Sequence, residues 1–291
     1  MSTYNQPYLI AEIGCNHKGD ISIAKELIKV AKIFCNAQAV KFQKRNNKEL
    51  LTTEQYNQPH PNPHNAYGDT YGEHREFLEF SLEQHRELKE YCDSLDITYA
   101  SSVWDVTSAK QIASLNPDFI KIPSACNNHV AMLEWLCKNY SGEIHVSTGM
   151  TTKSEIDELV TFFKTHNRHK DVVLYNCTSG YPVPFEDVCL LDIQLLKENY
   201  QHQVKHIGFS GHHLGIAVDV AAYTLGAHII ERHYTLDRTW KGTDHAASLE
   251  PMGLRKLERD LNAVYKALTY KQTDILPIEQ TQRHKLKYQN Q

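Results

Sequence analysis

Residues 8–42 read YLIAEIGCNHKGDISIAKELIKVAKIFCNAQAVKF, and this stretch decides the fold. Its two ends, residues 8–13 and 39–42, are short apolar runs rich in β-branched residues, which predicts two buried strands. Between them, residues 22–34 repeat apolar positions every three or four residues, as an amphipathic helix does. A strand, a helix and a second strand in this order indicate a parallel βαβ unit.

The rest of the chain repeats the same unit. Further strands are predicted at residues 97–100, 119–122, 144–147, 172–176, 206–209 and 229–231, and further helices at 82–95, 153–166 and 252–268. Eight parallel strands in 291 residues favour a (β/α)8 TIM barrel in one domain. The alternative is an open doubly wound sheet, but the first strand is not followed by the G-x-G-x-x-G turn typical of such a dinucleotide-binding sheet.

Two segments do not follow this alternation of strands and helices. Residues 43–79 are too long for a βα connection and carry three prolines together with His60, His64, Tyr67 and Tyr71. We interpret this long loop after strand two as a lid over the mouth of the barrel, with a solvated excursion as the alternative. After Leu268 the chain is polar, so residues 1–270 are predicted to form the catalytic barrel and residues 271–291 a partly ordered C-terminal extension.

Composition excludes several classes of protein. No apolar run approaches the ~18 residues of a membrane helix, and the N-terminus lacks the features of a signal peptide, so we expect a cytoplasmic protein with no membrane partner. A net charge of -4 offers no general basic surface, which argues against nucleic acid as a partner. The seven cysteines are odd in number and contain no C-x-x-C pair, which predicts reduced thiols.

In such barrels the active site lies where the strands end at their carboxyl side, and here every strand end carries a polar group. These groups include Glu12, Lys41, Ser102, Lys121, Ser124, Ser147, Thr148, Asn176, Ser179, Ser210, His212, Glu231 and His233. Lys41 and Lys121 each interrupt an apolar strand, where a charged side chain is unfavourable unless it has a partner or a function. Converging with serine hydroxyls they would hold a phosphate; the alternatives are a Schiff-base lysine and a structural ion pair.

His212 and His233 follow neighbouring strands, seven and eight, so their imidazoles are expected to meet above the barrel. Two neutral imidazoles with oxygen ligands suit a divalent transition metal. His213 and His245 are alternative ligands.

Two carboxylates are further candidates at the mouth. Glu12 is placed to bind the metal, hold its water or carry protons, and an ion pair with Lys41 is the structural alternative. Asp244 follows strand eight, where it is placed to bind a substrate hydroxyl or to cap a turn.

Seven collinear segments covering residues 7–268 together resemble the sialic acid synthase family, the phosphoenolpyruvate-dependent synthases of N-acetylneuraminate and related nonulosonates. They are AEIGCNHKGD (11–20), VKFQK (40–44), TYGEHREFLEFS (70–81), HVSTGM (145–150), NCTSGYPVPFEDV (176–188), IGFSGHHLGIA (207–217) and IERHYTLDRTWKGTDHAASLEP (230–251). The segments TYGEH, CTSGYP and TWKGTDHAASLEP are more similar to the vertebrate type than to the bacterial capsule enzymes.

The resemblance implies a role for each residue at the mouth. The phosphoenolpyruvate pocket would consist of Lys41, Ser102, Lys121, Ser124, Ser147 and Ser210, and the sugar would face Ser179, Tyr181 and Asp244. His212 and His233 would bind a divalent metal, Mn²⁺ in most of the family, with Mg²⁺ or Co²⁺ as alternatives. Glu12, Lys41, Lys121 and His233 would be the catalytic residues.

The implied reaction joins phosphoenolpyruvate to an aldose. The acceptor would be N-acetylmannosamine, its 6-phosphate or a related acylated amino sugar, and the products a sialic acid-like 3-deoxy-2-keto sugar acid and phosphate, released by C–O cleavage. Two other functions stay open at this point: a Schiff-base pyruvate aldolase or lyase that uses Lys121 or Lys41, and a non-catalytic protein that binds a sugar phosphate and a metal.

Two departures from the family pattern concern the acceptor. The family usually has K-[IV]-G-S-G-[ED]-x-N-N after strand four, whereas residues 121–128 read KIPSACNN, one residue shorter and without the acid. Members also commonly carry a C-terminal antifreeze-like domain whose arginine enters the partner's active site, and the sequence to Gln291 offers no counterpart. We therefore expect a homodimer formed between barrels.

Overall fold

In a computed structural model, which describes residues 4–288, eight parallel strands close into one barrel in their sequence order. The strands are β1 (Tyr8–Gly14), β2 (Ala39–Lys44), β3 (Thr98–Val103), β4 (Phe119–Ile122), β5 (Glu143–Ser147), β6 (Val172–Cys177), β7 (His206–Gly211) and β8 (Ile229–His233). All eight predicted strands are therefore present. The predicted single-domain (β/α)8 barrel is confirmed.

Helices surround this barrel and begin at residues suited to cap them. Asp20 caps the first barrel helix, and Ser81 and Thr152 form capping boxes at two others. The helices are α1 (Ile21–Ile33), α2 (Asn47–Leu50), α3 (Thr53–Asn57), α4 (Tyr71–Phe77), α5 (Leu82–Ser94), α6 (Val106–Ala113), α7 (Val130–Asn139), α8 (Lys153–Thr165), α9 (Asp192–Tyr200), α10 (Ala217–Leu225), α11 (Pro251–Ala267) and α12 (Pro277–Leu286).

Two apolar cores hold these layers together. The larger core lies between the strands and the helices and includes Leu27, Leu88 and Phe163, all fully buried. The smaller core fills the inside of the barrel with residues such as Phe119 and Tyr175. Because successive side chains of a strand point to opposite faces, the inward positions nearest the carboxyl end of each strand are left to form the mouth.

The strand register brings side chains of the mouth next to one another. Glu12 lies opposite both Lys41 and His233, Ser102 lies opposite Lys121, and Ser210 lies opposite Glu231. The site is therefore a consequence of closing the sheet in this register.

The long segment between β2 and β3 contains the short helices α2, α3 and α4. It reaches the loop after β8, where the Tyr67 hydroxyl donates to the carbonyl of Lys241 at 2.6 Å and the Lys241 ammonium lies over the Tyr67 ring. His74 of α4 and the following Leu78 line the cavity at the mouth. The segment thus forms one wall of the mouth, and its movement as a lid remains a prediction.

The C-terminal extension carries α12, which exposes Ile278 and Leu286. Residues 289–291 of the predicted extension lie outside the described residues. Across residues 4–288, none of the helices combines the length and apolar character needed to cross a membrane. All seven cysteines are free, as predicted.

Candidate active site

A cavity of about 390 Å³ opens at the carboxyl ends of the strands. Every residue to which the resemblance assigned a catalytic or binding role lines this cavity: Glu12, Lys41, Ser102, Lys121, Ser124, Ser147, Ser179, Tyr181, Ser210, His212, His233 and Asp244. A second cavity, of about 620 Å³, lies between α8 and α9 and shares Met150, Cys177 and Ser179 with the first. The buried lysines and the histidine pair line only the smaller cavity, which assigns the chemistry to it.

Two lysines and two glutamates form a charge network at the floor of this cavity. The Lys41 ammonium contacts the Glu12 carboxylate, donates to the Ser102 hydroxyl at 2.7 Å and lies 3.8 Å from Glu231 Oε1. The Lys121 ammonium donates to Glu231 Oε2 at 3.1 Å. All four charged residues are at least nine-tenths buried. The contact of Glu12 with Lys41, considered from the sequence as a structural ion pair, is therefore present.

Burial and attraction set the protonation of this network. Burial raises the pKa of Glu12 to about 8, and the opposing attraction of Lys41 is smaller. Burial would also raise the pKa of Glu231, but attraction to Lys121 and Lys41 outweighs it and lowers that pKa to about 2. Burial lowers the pKa of Lys121 to about 8. Near neutral pH the network therefore holds a proton on Glu12 and a carboxylate at Glu231.

Hydroxyl groups line the wall above the two lysines. Ser210 donates to Glu231 Oε1 at 3.1 Å, and Ser124 accepts from the Gly149 amide at 3.0 Å. A Cβ at Gly149 would lie only 2.5 Å from the Ser179 hydroxyl oxygen and 2.8 Å from that of Ser124. Glycine at position 149 therefore allows the loops after β4, β5 and β6 to approach closely enough to bring these hydroxyls together.

His212 and His233 meet on the other side of the cavity, with ring centroids 5.4 Å apart. Burial, together with the neighbouring His233, lowers the pKa of His212 to about 3, and burial lowers that of His233, so both imidazoles are neutral. The Nδ1 atom of His212 lies 3.0 Å from the carbonyl of Thr178, which leaves Nε2 as an electron-pair donor. His233 Nδ1 is buried without a hydrogen-bond partner and lies 4.0 Å from Asp244.

These donors fit a divalent metal ion held by two histidines. Among residues 4–288, no three His, Cys, Asp or Glu side chains are grouped closely enough to form a complete metal site. An ion held by His212 and His233 would take its other ligands from substrate or water. The alternative ligands point elsewhere: His213 contacts the Arg232 guanidinium and His245 contacts the Thr235 hydroxyl.

Several residues that line the cavity had no role in the sequence-based predictions, among them Glu231, Arg45 and Trp104. Glu231 was recognised as a polar strand end, and the alternation that turns His233 inward also turns Glu231 inward. Arg45 and Trp104 follow β2 and β3 and form a side wall. Their positions depend on the long segment after β2, whose path carries no periodic signal in the sequence.

The sequence pattern of the NeuB family matches residues 27–273. The chain belongs to the NeuB family. Its NeuB barrel is 38% identical over 281 residues to N-acetylneuraminate-9-phosphate synthase of Homo sapiens, an alignment that covers 96% of this chain and 76% of the relative. It is also 34% identical over 261 residues to N,N'-diacetyllegionaminic acid synthase of Campylobacter jejuni, covering 89% and 77% of the two chains.

A solved structure agrees with this NeuB assignment. The crystal structure of N-acetylneuraminic acid (sialic acid) synthetase from Leptospira borgpetersenii, in complex with citrate, superposes with a TM-score of 0.79 at 30% identity. The match covers 98% of this chain and 94% of that one. The predicted resemblance is confirmed, and with it the prediction of an enzyme of the phosphoenolpyruvate-dependent nonulosonate synthase class.

Proposed function

We propose that this NeuB-family enzyme condenses phosphoenolpyruvate with an open-chain acylated amino sugar in a metal-dependent reaction. The observation that carries the proposal is the pairing, across one cavity, of a buried lysine network with two neutral histidines. The lysine network suits an anion and the histidine pair suits a divalent ion, so the cavity has separate places for the two substrates.

Phosphoenolpyruvate would bind at the floor, against Lys41 and Lys121. With Glu12 protonated, two ammonium groups face one carboxylate, that of Glu231, so the floor carries a net positive charge. The surrounding hydroxyls can donate to a phosphate or carboxylate oxygen; they belong to Ser102, Ser124, Ser147 and Ser210. The lysines would then stabilise negative charge as it shifts from the enol phosphate to the leaving phosphate.

The acceptor would lie beside the histidines. A divalent ion, Mn²⁺ or alternatively Mg²⁺ or Co²⁺, would be held by His212 and His233 and when bound would supply Lewis-acid polarisation of the aldehyde. Thr178 fixes the orientation of the His212 ring. The Tyr181 ring packs against His212 at 4.3 Å between centroids, and Asp244 faces the same space, so both are placed to contact sugar hydroxyls.

The chemistry then needs one new carbon–carbon bond and one broken carbon–oxygen bond. The methylene carbon of phosphoenolpyruvate attacks the aldehyde carbon, and water adds to the carbon that bears the phosphate. Glu12, which is protonated near neutral pH, would first give its proton to the aldehyde oxygen as the carbon–carbon bond forms, and would then, as a carboxylate, take up the proton that this water loses. Phosphate leaves with its bridging oxygen, and the 2-keto acid remains.

The acceptor is proposed from the names of the relatives. Matches to an N-acetylneuraminate-9-phosphate synthase and to a diacetyllegionaminic acid synthase support N-acetylmannosamine, its 6-phosphate or a related acylated amino sugar. The predicted cytoplasmic location and homodimer are part of the same proposal. Light scattering of the purified protein at several concentrations would show a monomer if the homodimer is wrong.

The test is phosphate release from phosphoenolpyruvate with added Mn²⁺, against a panel of free and 6-phosphorylated mannosamine derivatives, diacetamido hexoses and mannose. We expect release that requires both the metal and one class of aldose. Release without any aldose, or no release with every aldose, would contradict the proposal. Borohydride trapping with pyruvate separates the aldolase alternative, because only a Schiff base on Lys121 or Lys41 would become permanently linked.

A further inference from the structure

Arg75 of α4 is a buried arginine that packs against Trp104, a residue of the cavity wall, and that forms no ion pair with an acidic side chain of the described residues. Arg75 is only 6% exposed to solvent. Within residues 4–288 its side chain forms no ion pair or hydrogen bond, and its Nε atom is buried without an acceptor. Burying an uncompensated guanidinium is unfavourable, so a missing anion is the simplest reason for its presence.

The surroundings of Arg75 connect it to the cavity. Its guanidinium carbon lies 5.5 Å from the ring centroid of Tyr71 and 5.8 Å from that of Trp104. Trp104 lines the cavity, as does His74, the residue before Arg75. The indole nitrogen of Trp104 is also a buried donor without an acceptor. The Nε atom of Arg75 and the indole nitrogen of Trp104 are thus two buried N–H donors that no described residue satisfies.

Arg45 provides an internal comparison, because its guanidinium carbon lies at a similar distance, 5.9 Å, from the same Trp104 ring. Arg45 is paired: its Nε donates to Glu79 Oε1 at 2.5 Å. Glu79 also lies 3.8 Å from the ammonium of Lys44, so its charge is already shared by two cations. Burial and the proximity of Arg45 both lower the pKa of Arg75, and the attraction of Tyr71 and Glu79 does not offset them.

The other neighbouring elements do not supply that charge. The loop after β4 passes near Arg75 at Cys126, and residues 123–128 contain no acid. Asp105, which follows β3, is engaged by the Ser108 amide at 2.7 Å and by the Asn46 amide at 2.7 Å. None of these acids forms an ion pair with Arg75.

We propose that Arg75 binds a phosphate group on the acceptor sugar, so that the enzyme selects a sugar phosphate over the free sugar. This inference rests on the proposed function, because it assigns the class of the acceptor for the same cavity. Lys41 and Lys121 are assigned to phosphoenolpyruvate at the floor of the cavity, which leaves Arg75 as a separate subsite for a second anion. The planar guanidinium suits a phosphate better than an ammonium does.

The test compares N-acetylmannosamine 6-phosphate with N-acetylmannosamine in wild-type enzyme and in Arg75→Gln. We expect the ratio of kcat/KM for the phosphorylated over the free sugar to fall by about 10- to 100-fold in the variant, with the KM for phosphoenolpyruvate unaffected. Arg75→Lys keeps the charge and should retain most of the ratio. Arg86→Gln, an exposed arginine on α5, is the matched control and should leave the ratio unchanged.

Calorimetric binding of the two sugars without phosphoenolpyruvate gives a second readout that needs no turnover. Tighter binding of the phosphorylated sugar, lost in Arg75→Gln but kept in Arg86→Gln, supports the subsite even if no condensation occurs, in which case only the proposed function fails. Equal binding of both sugars, no binding of either, or a preference that survives in folded Arg75→Gln would overturn the inference. Thermal unfolding of each variant verifies that it is folded, and Arg75→Met, which also removes the charge, replaces Arg75→Gln if the latter is not.

Discussion

Two neighbouring residues of β8, Glu231 and Arg232, belong to buried charge networks on opposite sides of the strand. Glu231 points into the barrel and contacts Lys41 and Lys121. Arg232 points outward and contacts Asp219 of α10, and the side chains of this pair have no exposed surface. Both networks look alike by burial and charge, yet only the inward one borders a cavity.

The outward network makes its contacts within the protein, and Arg232 Nε and Asp219 Oδ1 are buried there without a hydrogen-bond partner. Arg232 donates to the carbonyls of His213 at 2.6 Å and Gly215 at 2.8 Å, in the loop that follows β7. It thereby fixes the loop that presents His212 to the cavity. The inward network instead leaves its lysines facing open space. A buried charge therefore indicates a binding site only when the network around it opens on a cavity.

The largest expected effect on activity concerns the histidine pair. His233→Ala should lower turnover by about 10³-fold or more, because Lewis-acid polarisation contributes several kcal/mol to such reactions. The fold should remain largely intact, since the side chain borders the cavity. Turnover is measured with and without added Mn²⁺ after treatment with a chelator. Wild-type activity that survives complete metal removal would contradict the metal assignment.

Substitutions in the two β8 networks should separate stability from activity. Arg232→Met leaves Asp219 with only the His213 ring, whose Nε2 lies 3.3 Å from the carboxylate, and should lower the free energy of unfolding by about 3–5 kcal/mol. Lys121→Met should change stability by only about 1 kcal/mol, because Glu231 keeps Lys41 as a partner, but should lower kcat/KM for phosphoenolpyruvate about 10²-fold.

Urea unfolding measures the free energy of unfolding of Arg232→Met and of Lys121→Met, and steady-state kinetics measure kcat/KM for phosphoenolpyruvate in both variants. The contrast between the networks would be wrong if Lys121→Met unfolded as easily as Arg232→Met while keeping normal kinetics.

The sequence predicted the barrel and the site residues because both follow from the strands. Each strand is an apolar run, so its end is visible, and closing the sheet brings all the ends together. Lys41 and Lys121 lie within such apolar runs, and a charged residue there is unusual enough to predict a functional or paired lysine. The long segment after β2 follows no such rule. The wall made by Arg45, Arg75 and Trp104 was therefore missed, since its members meet only through tertiary packing.

The sequence also did not predict which residues pair with each buried charge. Glu231 and Arg232 are adjacent in the chain, and nothing in the sequence says which one faces an open cavity. His213 and His245 likewise lie near the predicted metal ligands in sequence, but the local backbone turns them toward Arg232 and Thr235. Backbone direction in loops depends on contacts that a single sequence does not display.

A buried histidine away from the active-site cavity should make the fold less stable in acid. His85 of α5 is fully buried, and burial lowers its pKa to about 3. The unfolded chain binds a proton near pH 6.5, so the stabilisation from neutral His85 is present above that pH and is lost as pH falls toward 3. The free energy of unfolding should fall by about 1 kcal/mol per pH unit for this residue over that window. In His85→Leu the fall between pH 6.5 and pH 5 should be shallower, and an unchanged pH profile would contradict the assignment.

The smallest effect is expected for charges that are neither buried nor next to a cavity. Lys89 and Asp93 form an exposed pair one turn apart on α5, with 2.8 Å between nitrogen and oxygen. Water screens this pair, and holding two long side chains together costs conformational entropy, so Lys89→Ala should change the free energy of unfolding by less than about 0.5 kcal/mol. Urea unfolding at low and high salt would measure it. A loss comparable to that of Arg232→Met would mean that ion pairing stabilises this barrel whether or not the pair is buried. A negligible loss would mean that burial of the charges is what makes substitutions in the two β8 networks costly.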